Sequence, residues 1–226
     1  MGKLVGTAGI RGVVGENLTA DMAFRVGQAV GTVLMEDKGS RPTVVIGKDT
    51  RISSDMLESA LMAGLCSVGS DVKPVGTIPT PAVAYLTVQE KADAGSVISA
   101  SHNPYEHNGI KVFSGQGYNL SDSVEARIEE KILSQEPMKL RTRGEIGRRH
   151  RGMRQLKRDY IDFVASTIES DLAGLKILAD CANGAASATA PELFGRFKAR
   201  TDFLHRDPDG VNINSNCGST HLEDLA

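Results

Sequence analysis

The chain has 226 residues, 40% of them hydrophobic, enough to bury one full domain and part or all of another. Its formal net charge of −2 excludes a global electrostatic pull toward nucleic acid or an anionic membrane. Met1–Val5 lacks the apolar core of a signal peptide, and no apolar run approaches the ~20 residues of a membrane span. The three cysteines, Cys66, Cys181 and Cys217, are far apart and odd in number. They form neither a zinc spacing nor a disulfide framework, so reduced thiols in a cytoplasmic protein are expected.

Thr19 is placed to cap a helix whose residues Met22, Ala23, Val26, Val30, Val33 and Leu34 recur at helical spacing. Thr43–Ile46 reads as a buried strand. A second helix opens at Ser53 or Ser54, carries Met56, Leu57, Ala60, Leu61, Leu65 and Val68, and ends at Gly69-Ser70-Asp71. Val72–Val75 is a short strand, and Thr80-Pro81 starts a third helix, since proline at the first helical position loses no needed hydrogen bond. Gly95–Ile98 and Ile110–Phe113 read as strands, and Ser121 caps a helix through Val124, Ile128, Ile132 and Leu133. This order of elements predicts an α/β fold, layered around a mixed, largely parallel sheet. A first domain is expected over 1–138, a connector over 139–158 and a second α/β unit over 159–226.

The connector holds nine Lys/Arg residues against one acid, Glu145. Clustered cations release counterions from nucleic-acid backbones. Without aromatic interleaving or a nucleic-acid motif, a solvated interdomain connector is the reading taken, with no nucleic-acid partner and no membrane partner. Beyond it, Tyr160, Phe163, Val164, Thr167 and Ile168 share a helical face, and Leu175–Ala179 reads as a buried strand. The strand runs into the small-residue loop Asp180–Ser187, which either presents backbone N–H groups to an anion or packs strand closely against helix. Asp207-Pro208-Asp209-Gly210 is read as ordinary turn chemistry rather than a metal-binding carboxylate pair.

The most informative stretch is Val97–Phe113. A short apolar strand delivers Ser101 into a loop, His102 and Asn103 follow, Pro104 blocks a helix, and Asn108-Gly109 supplies a turn signal before Lys111 opens the next strand. A hydroxyl, a lysine and side-chain donors in one loop are suitable parts for handling a phosphoryl group. Gly47-Lys48-Asp49-Thr50-Arg51 follows a buried strand at the edge where open α/β sheets place ligands, and either binds there or ties a loop with an Asp–Arg pair.

Five motifs occur in order: Gly6-Thr7-Ala8-Gly9-Ile10-Arg11-Gly12, Gly47–Arg51, Pro79–Tyr85, Ile98–Pro104 and Asn108–Lys111. Together they resemble the α-D-phosphohexomutase superfamily, nearest its bacterial phosphoglucosamine mutase branch. The runs 180–184 and 209–220 resemble that family's second domain. The resemblance implies that Ser101 is a phosphoserine that exchanges phosphoryl groups with a hexosamine or hexose phosphate through a bisphosphorylated sugar. It implies Mg²⁺ held through the phosphoserine oxygens, Lys111 assisting proton transfer or neutralising charge, and Arg11 and His102 lining the same cleft. Phosphomannomutase or phosphoglucomutase chemistry, and a non-catalytic sugar-phosphate-binding remnant, are the alternatives. No motif specifies an oligomeric state. Ala8 stands where the branch usually has Asp, and Lys198-Ala199 where the family has a Gly-Ala turn. The chain stops at Ala226, ahead of the family's Asp-x-Asp-x-Asp metal loop, sugar-selecting loop and C-terminal phosphate-binding domain. The implied picture is an N-terminal half with domain 2 incomplete, apolar surface uncovered there, and negligible mutase activity by this chain alone.

Overall fold

A computed structural model describes residues 9–134, 136–151 and 154–226, so Gly6, Thr7 and Ala8 of the first motif lie outside the described residues. Five strands form the main sheet: β1 (Ile10–Val13), β2 (Thr43–Lys48), β3 (Asp71–Thr77), β4 (Ala94–Ile98) and β5 (His107–Ser114), in the order β1-β5-β4-β2-β3. β4, β2 and β3 run parallel, while β5 is antiparallel to both β4 and β1. The sheet is therefore mixed around a parallel heart, which is why β2 and β4 read as nearly continuous apolar runs: both of their faces are covered.

Alternate residues of each strand enter opposite cores. On one face Val44, Ile46, Ala94 and Ile98 meet α1 (Ala20–Lys38), α2 (Ser54–Ser67) and α4 (Asp122–Leu133) through Val26, Val30, Leu57, Leu61 and Ile128. On the other face Val45 and Val97 meet Val83 and Leu86 of α3 (Thr80–Gln89). The Thr19 hydroxyl caps α1, accepting the Met22 N–H at 3.2 Å, and Gly39 closes that helix in the left-handed conformation. α1 and α2 pack closely because glycines replace side chains between them. A Cβ on Gly64 would strike the Phe24 carbonyl of α1, and one on Gly27 would strike the Leu61 carbonyl of α2.

Two readings of the first domain change. Asn108-Gly109 is not a turn: both residues lie inside β5 with ordinary negative φ, and the chain reverses between Ser99 and Glu106 instead. The dipeptide serves lateral packing. Buried Asn108 donates to the Ser53 and Ser54 hydroxyls at 2.9 and 3.1 Å, and a Cβ on Gly109 would come within 2.9 Å of the Arg11 side chain. Lys111 accordingly sits in the middle of β5 rather than at its start.

The basic stretch is mostly exposed, and it is also tied to the first sheet and to α2 by backbone hydrogen bonds. Val72 of β3 donates to the Arg148 carbonyl and accepts from the His150 N–H, while Arg141 and Gly147 donate to the carbonyls of Ser67 and Cys66. Asp71 anchors this strap, accepting the Arg148 N–H at 2.8 Å and the Arg41 guanidinium at 3.1 Å. Burial pushes the Asp71 carboxyl up, but those donors outweigh it and hold its pKa below the ordinary value. The strap leads into α5 (Arg154–Ser166), which lays Leu156 into the second core and stacks Phe163 on Tyr85 with ring centroids 4.1 Å apart. The helix ends at Ser166, so Thr167 and Ile168 lie in the turns that follow.

The remaining elements are β6 (Lys176–Asp180), α6 (Ala190–Phe194) and β7 (Arg200–Leu204), with β6 and β7 forming a parallel pair. β6 is not buried as its sequence suggests: Leu178 is 47% exposed and Leu175, just before it, 53%, because a two-stranded sheet leaves a face uncovered. Among the described residues no helix is long and apolar enough to cross a membrane.

The close α1–α2 approach predicts that Gly64→Ala lowers stability by about 1–3 kcal/mol through overpacking, although alanine is the better helix former. Urea titration checks this, and an unchanged or raised midpoint would contradict it.

Candidate functional site

β2, β3 and β4 end on the same edge of the sheet, and their outgoing loops are stitched together there. Asp49 N–H donates to the Ile98 carbonyl and Ile78 N–H to the Lys48 carbonyl, both at 3.0 Å. The Gly47–Arg51 and Ser99–Glu106 loops therefore leave the sheet side by side. Ser101 lies in the second of them, exposed and in the left-handed region at φ 58°, a conformation that costs a non-glycine residue free energy.

Several groups hold that conformation. The Ser99 hydroxyl accepts the Ser101 N–H at 3.1 Å, and Asn103 N–H closes a turn on the Ala100 carbonyl. The Arg51 guanidinium donates to the Ser101 carbonyl at 3.1 Å and the Asn103 carbonyl at 2.6 Å. Asn214 Nδ2, arriving from the second α/β unit, donates to the same two carbonyls at 2.9 and 3.0 Å. Two cross-links run beside it, from the Thr50 hydroxyl to the Asn183 carbonyl and from Ile52 N–H to the Gly210 carbonyl. With its backbone carbonyl clamped from two directions, Ser101 displays its hydroxyl at a fixed place.

Arg51 can serve as this clamp because it is itself locked. Its side chain is fully buried and ion-paired with buried Asp49, whose carboxylate also accepts the Ser54 hydroxyl at 3.0 Å and the Arg51 N–H at 3.1 Å. Burial pushes the guanidinium pKa down and Asp49 opposes it, but an arginine keeps its charge at any physiological pH.

The two lysines of this region differ. Burial would lower the Lys48 pKa, but the carboxylates of Asp55 and Glu58 outweigh it and raise that pKa above the ordinary lysine value. Lys111 is pushed the other way, by burial first and then by the Arg11 charge, and among the described residues no carboxylate pairs with it. Arg11 lies across from Gly109 on β1, exposed, and its charge also reaches Arg51. Arg11, Lys111 and Arg51 thus form one cationic neighbourhood adjoining the serine loop. His102 is exposed on that loop, and among the described residues no hydrogen bond or ion pair fixes its ring.

Two other features resolve without a ligand. In the Asp180–Ser187 loop the Ala182 N–H donates to Asp180, the Asn183 N–H to the His205 carbonyl and the Gly184 N–H to the Cys181 carbonyl, so these three amides are not offered to an anion. Asp209 is a turn residue, accepting the N–H groups of Val211 and Asn212 at 2.8 and 2.9 Å. Asn214 was missed by sequence reasoning because its site partner is 113 residues away. Its only local signal is an Asn-rich loop.

The side-chain donors present at Ser101 do not by themselves complete a magnesium site. Mg²⁺ demands a near-octahedral set of oxygens, whereas Asp49 is committed to Arg51 and Ser54. Among the described residues no trio of metal-ligating side chains surrounds the serine.

Residues 2–139 match the family described as phosphoglucomutase/phosphomannomutase, alpha/beta/alpha domain I. A phosphoglucosamine mutase from Acetivibrio thermocellus is 53% identical over 226 residues, covering 100% of this chain and 50% of that protein. A crystal structure of a phosphoglucomutase/phosphomannomutase family protein from Burkholderia thailandensis superposes with a TM-score of 0.79 at 25% identity, over 99% of this chain and 49% of the other. An N-acetylphosphoglucosamine mutase from Aspergillus fumigatus, solved with GlcNAc-6P and magnesium, shares the fold at a TM-score of 0.52 and 16% identity, over 98% of this chain and 44% of its own. The chain spans about half the length of the curated relatives it matches.

Two outcomes follow from the geometry. Arg51→Met leaves the Asp49 carboxylate buried without its partner and is expected to cost about 3–5 kcal/mol in chemical denaturation; a loss below 1 kcal/mol would show that the pair does not anchor the loop. Arg11→Gln removes a positive neighbour and is expected to raise the Lys111 pKa, read by NMR titration of its side-chain carbons. Because the folded pKa lies below the unfolded one, the Lys111 contribution to stability is least below the folded pKa and recovers as pH rises through it toward the ordinary lysine value. An unchanged Lys111 titration in Arg11→Gln would contradict the coupling.

Proposed function

This chain belongs to the phosphoglucomutase/phosphomannomutase family, and from that membership we propose that Ser101 is the phosphoryl carrier of a cytoplasmic phosphoglucosamine mutase, interconverting glucosamine 6-phosphate and glucosamine 1-phosphate. The observation that carries this reading is the pinned left-handed serine, its carbonyl held by Arg51 and Asn214 while its hydroxyl stays exposed. The glucosamine assignment rests on the 53% identity to a phosphoglucosamine mutase over the whole chain.

Phosphoryl transfer needs little covalent help from a protein; positioning and charge stabilisation supply most of the catalysis. In the first half-reaction a sugar hydroxyl attacks the phosphorus on Ser101. A bond forms from phosphorus to the sugar oxygen, the bond to Ser101 Oγ breaks, and the sugar's proton passes by way of Lys111 to the departing Ser101 Oγ. The bisphosphorylated sugar then turns over. In the second half-reaction Ser101 Oγ gives its proton to Lys111 as it takes the other phosphoryl group, and Lys111 returns that proton to the sugar oxygen that leaves. Lys111 is the residue for this duty because burial and Arg11 both favour its neutral form, whereas Lys48 is held charged. Arg11 offsets the charge on the equatorial oxygens, and His102, free to turn beside the serine, donates to a phosphate oxygen. Mg²⁺ is proposed as the cofactor from the family; when bound it spreads the phosphoryl charge. Since the donors at Ser101 do not complete its coordination, no step here is routed through it.

Incubation of the purified chain with a bisphosphorylated hexosamine should add the mass of one phosphoryl group, localised to Ser101 by fragmentation and absent in Ser101→Ala. Phosphate on another residue, or none on a folded chain, would contradict the carrier assignment and leave a sugar-phosphate-binding remnant as the better account.

A further inference from the structure

Cys217, His205 and Asp180 are far apart in sequence and have no metal-ligand spacing, yet the second α/β unit brings their ligand atoms within 4.8 Å of one another. Asp180 ends β6, His205 follows β7, and Cys217 lies beyond the Asn214 loop. The Asp180 side chain is 3% exposed and Cys217 1%.

The histidine ring makes this cluster chemically informative. Its Nε2 lies 3.1 Å from the Asp224 carboxylate, at the exposed end of the cluster. Its Nδ1 is buried with no hydrogen-bond partner, although it stands 3.1 Å from Asp180 Oδ1. Asp180 Oδ1 already accepts the Ala182 N–H at 2.7 Å, and Oδ2 the Gly218 N–H at 2.7 Å. Two atoms that both carry lone pairs meet there, and they repel unless a proton or a metal cation lies between them. Sulfur, nitrogen and carboxylate oxygen are the donor types of a tetrahedral zinc site, with one position left for water. A histidine ligand whose other nitrogen meets a carboxylate is the usual outer arrangement of such a site.

We infer that Asp180, His205 and Cys217 form a binding site for a zinc-class divalent cation, with Asp224 orienting His205 from behind. The site is separate from Ser101 and does not depend on the mutase reading. It joins the end of β6, the end of β7 and the chain on either side of Asn214, so the cation staples the loop that reaches across to the Ser101 carbonyl.

Cobalt is the probe. Titrating Co²⁺ into the purified, reduced 226-residue chain should develop a sulfur-to-cobalt charge-transfer band that saturates at one equivalent and is bleached by Zn²⁺. The band should vanish in Cys217→Ser and persist in Cys181→Ser, with far-UV circular dichroism confirming that each variant is folded. Asp224→Asn, at the exposed end of the cluster, should weaken binding by about 10–100-fold while keeping the band. Zn²⁺ should raise the thermal midpoint of the wild type but not that of His205→Gln. No band in the folded wild type, or a band that survives Cys217→Ser, would overturn the assignment.

Discussion

The serine loop depends on a buried ion pair. Asp49 and Arg51 sit two residues apart at the end of β2, both removed from water, and neither charge is tolerable alone. A buried pair of this kind contributes little net stability compared with apolar residues of similar size. Its value lies in direction. Asp49 holds the guanidinium through Nη1 so that Nη2 points at the carbonyls of Ser101 and Asn103. A flexible lysine on the surface would offer no such fixed fork. The strained φ of Ser101 is sustained by this fork, by Asn214 and by the Ser99 hydroxyl.

The same clamp connects the two α/β units. Asn214, Gly210 and Asn183 reach the first unit at three neighbouring points, all within loops leaving sheet edges. The basic strap and α5 make a second attachment on the far side of β3. The loop between β7 and Cys217 touches the Ser101 carbonyl directly through the Asn214 amide, even though the two lie far apart in sequence.

Much of the first unit was legible because its signals are local. Thr43-Val-Val-Ile is buried on both faces and reads as such; Thr19 caps its helix with its own side chain; Thr80-Pro81 opens α3. The misreadings arise where a local preference serves a distant contact. Asn108-Gly109 carries a turn signature, yet the asparagine is wanted for Ser53 and Ser54 and the glycine for the approach of Arg11. Leu175–Ala179 looks like a core strand, but burial depends on what covers the sheet, which no strand sequence encodes. At the site, the Asp49–Arg51 pair was one of two readings that the spacing left open. The clamp by Asn214 and the gathering of Asp180, His205 and Cys217 were not legible, since each joins residues from separate loops.

The central claim is that the serine loop's own turn does not suffice and that Arg51 and Asn214 hold it from outside. Hydrogen–deuterium exchange of the backbone amides from Ser99 to His107, compared between the wild type and Asn214→Ala, tests it most directly. The account predicts faster exchange at Ser101 and Asn103 in the variant, with the β4 and β5 amides unchanged. Equal exchange at Ser101 and Asn103 in both proteins would show that the loop keeps its shape unaided and would contradict the account.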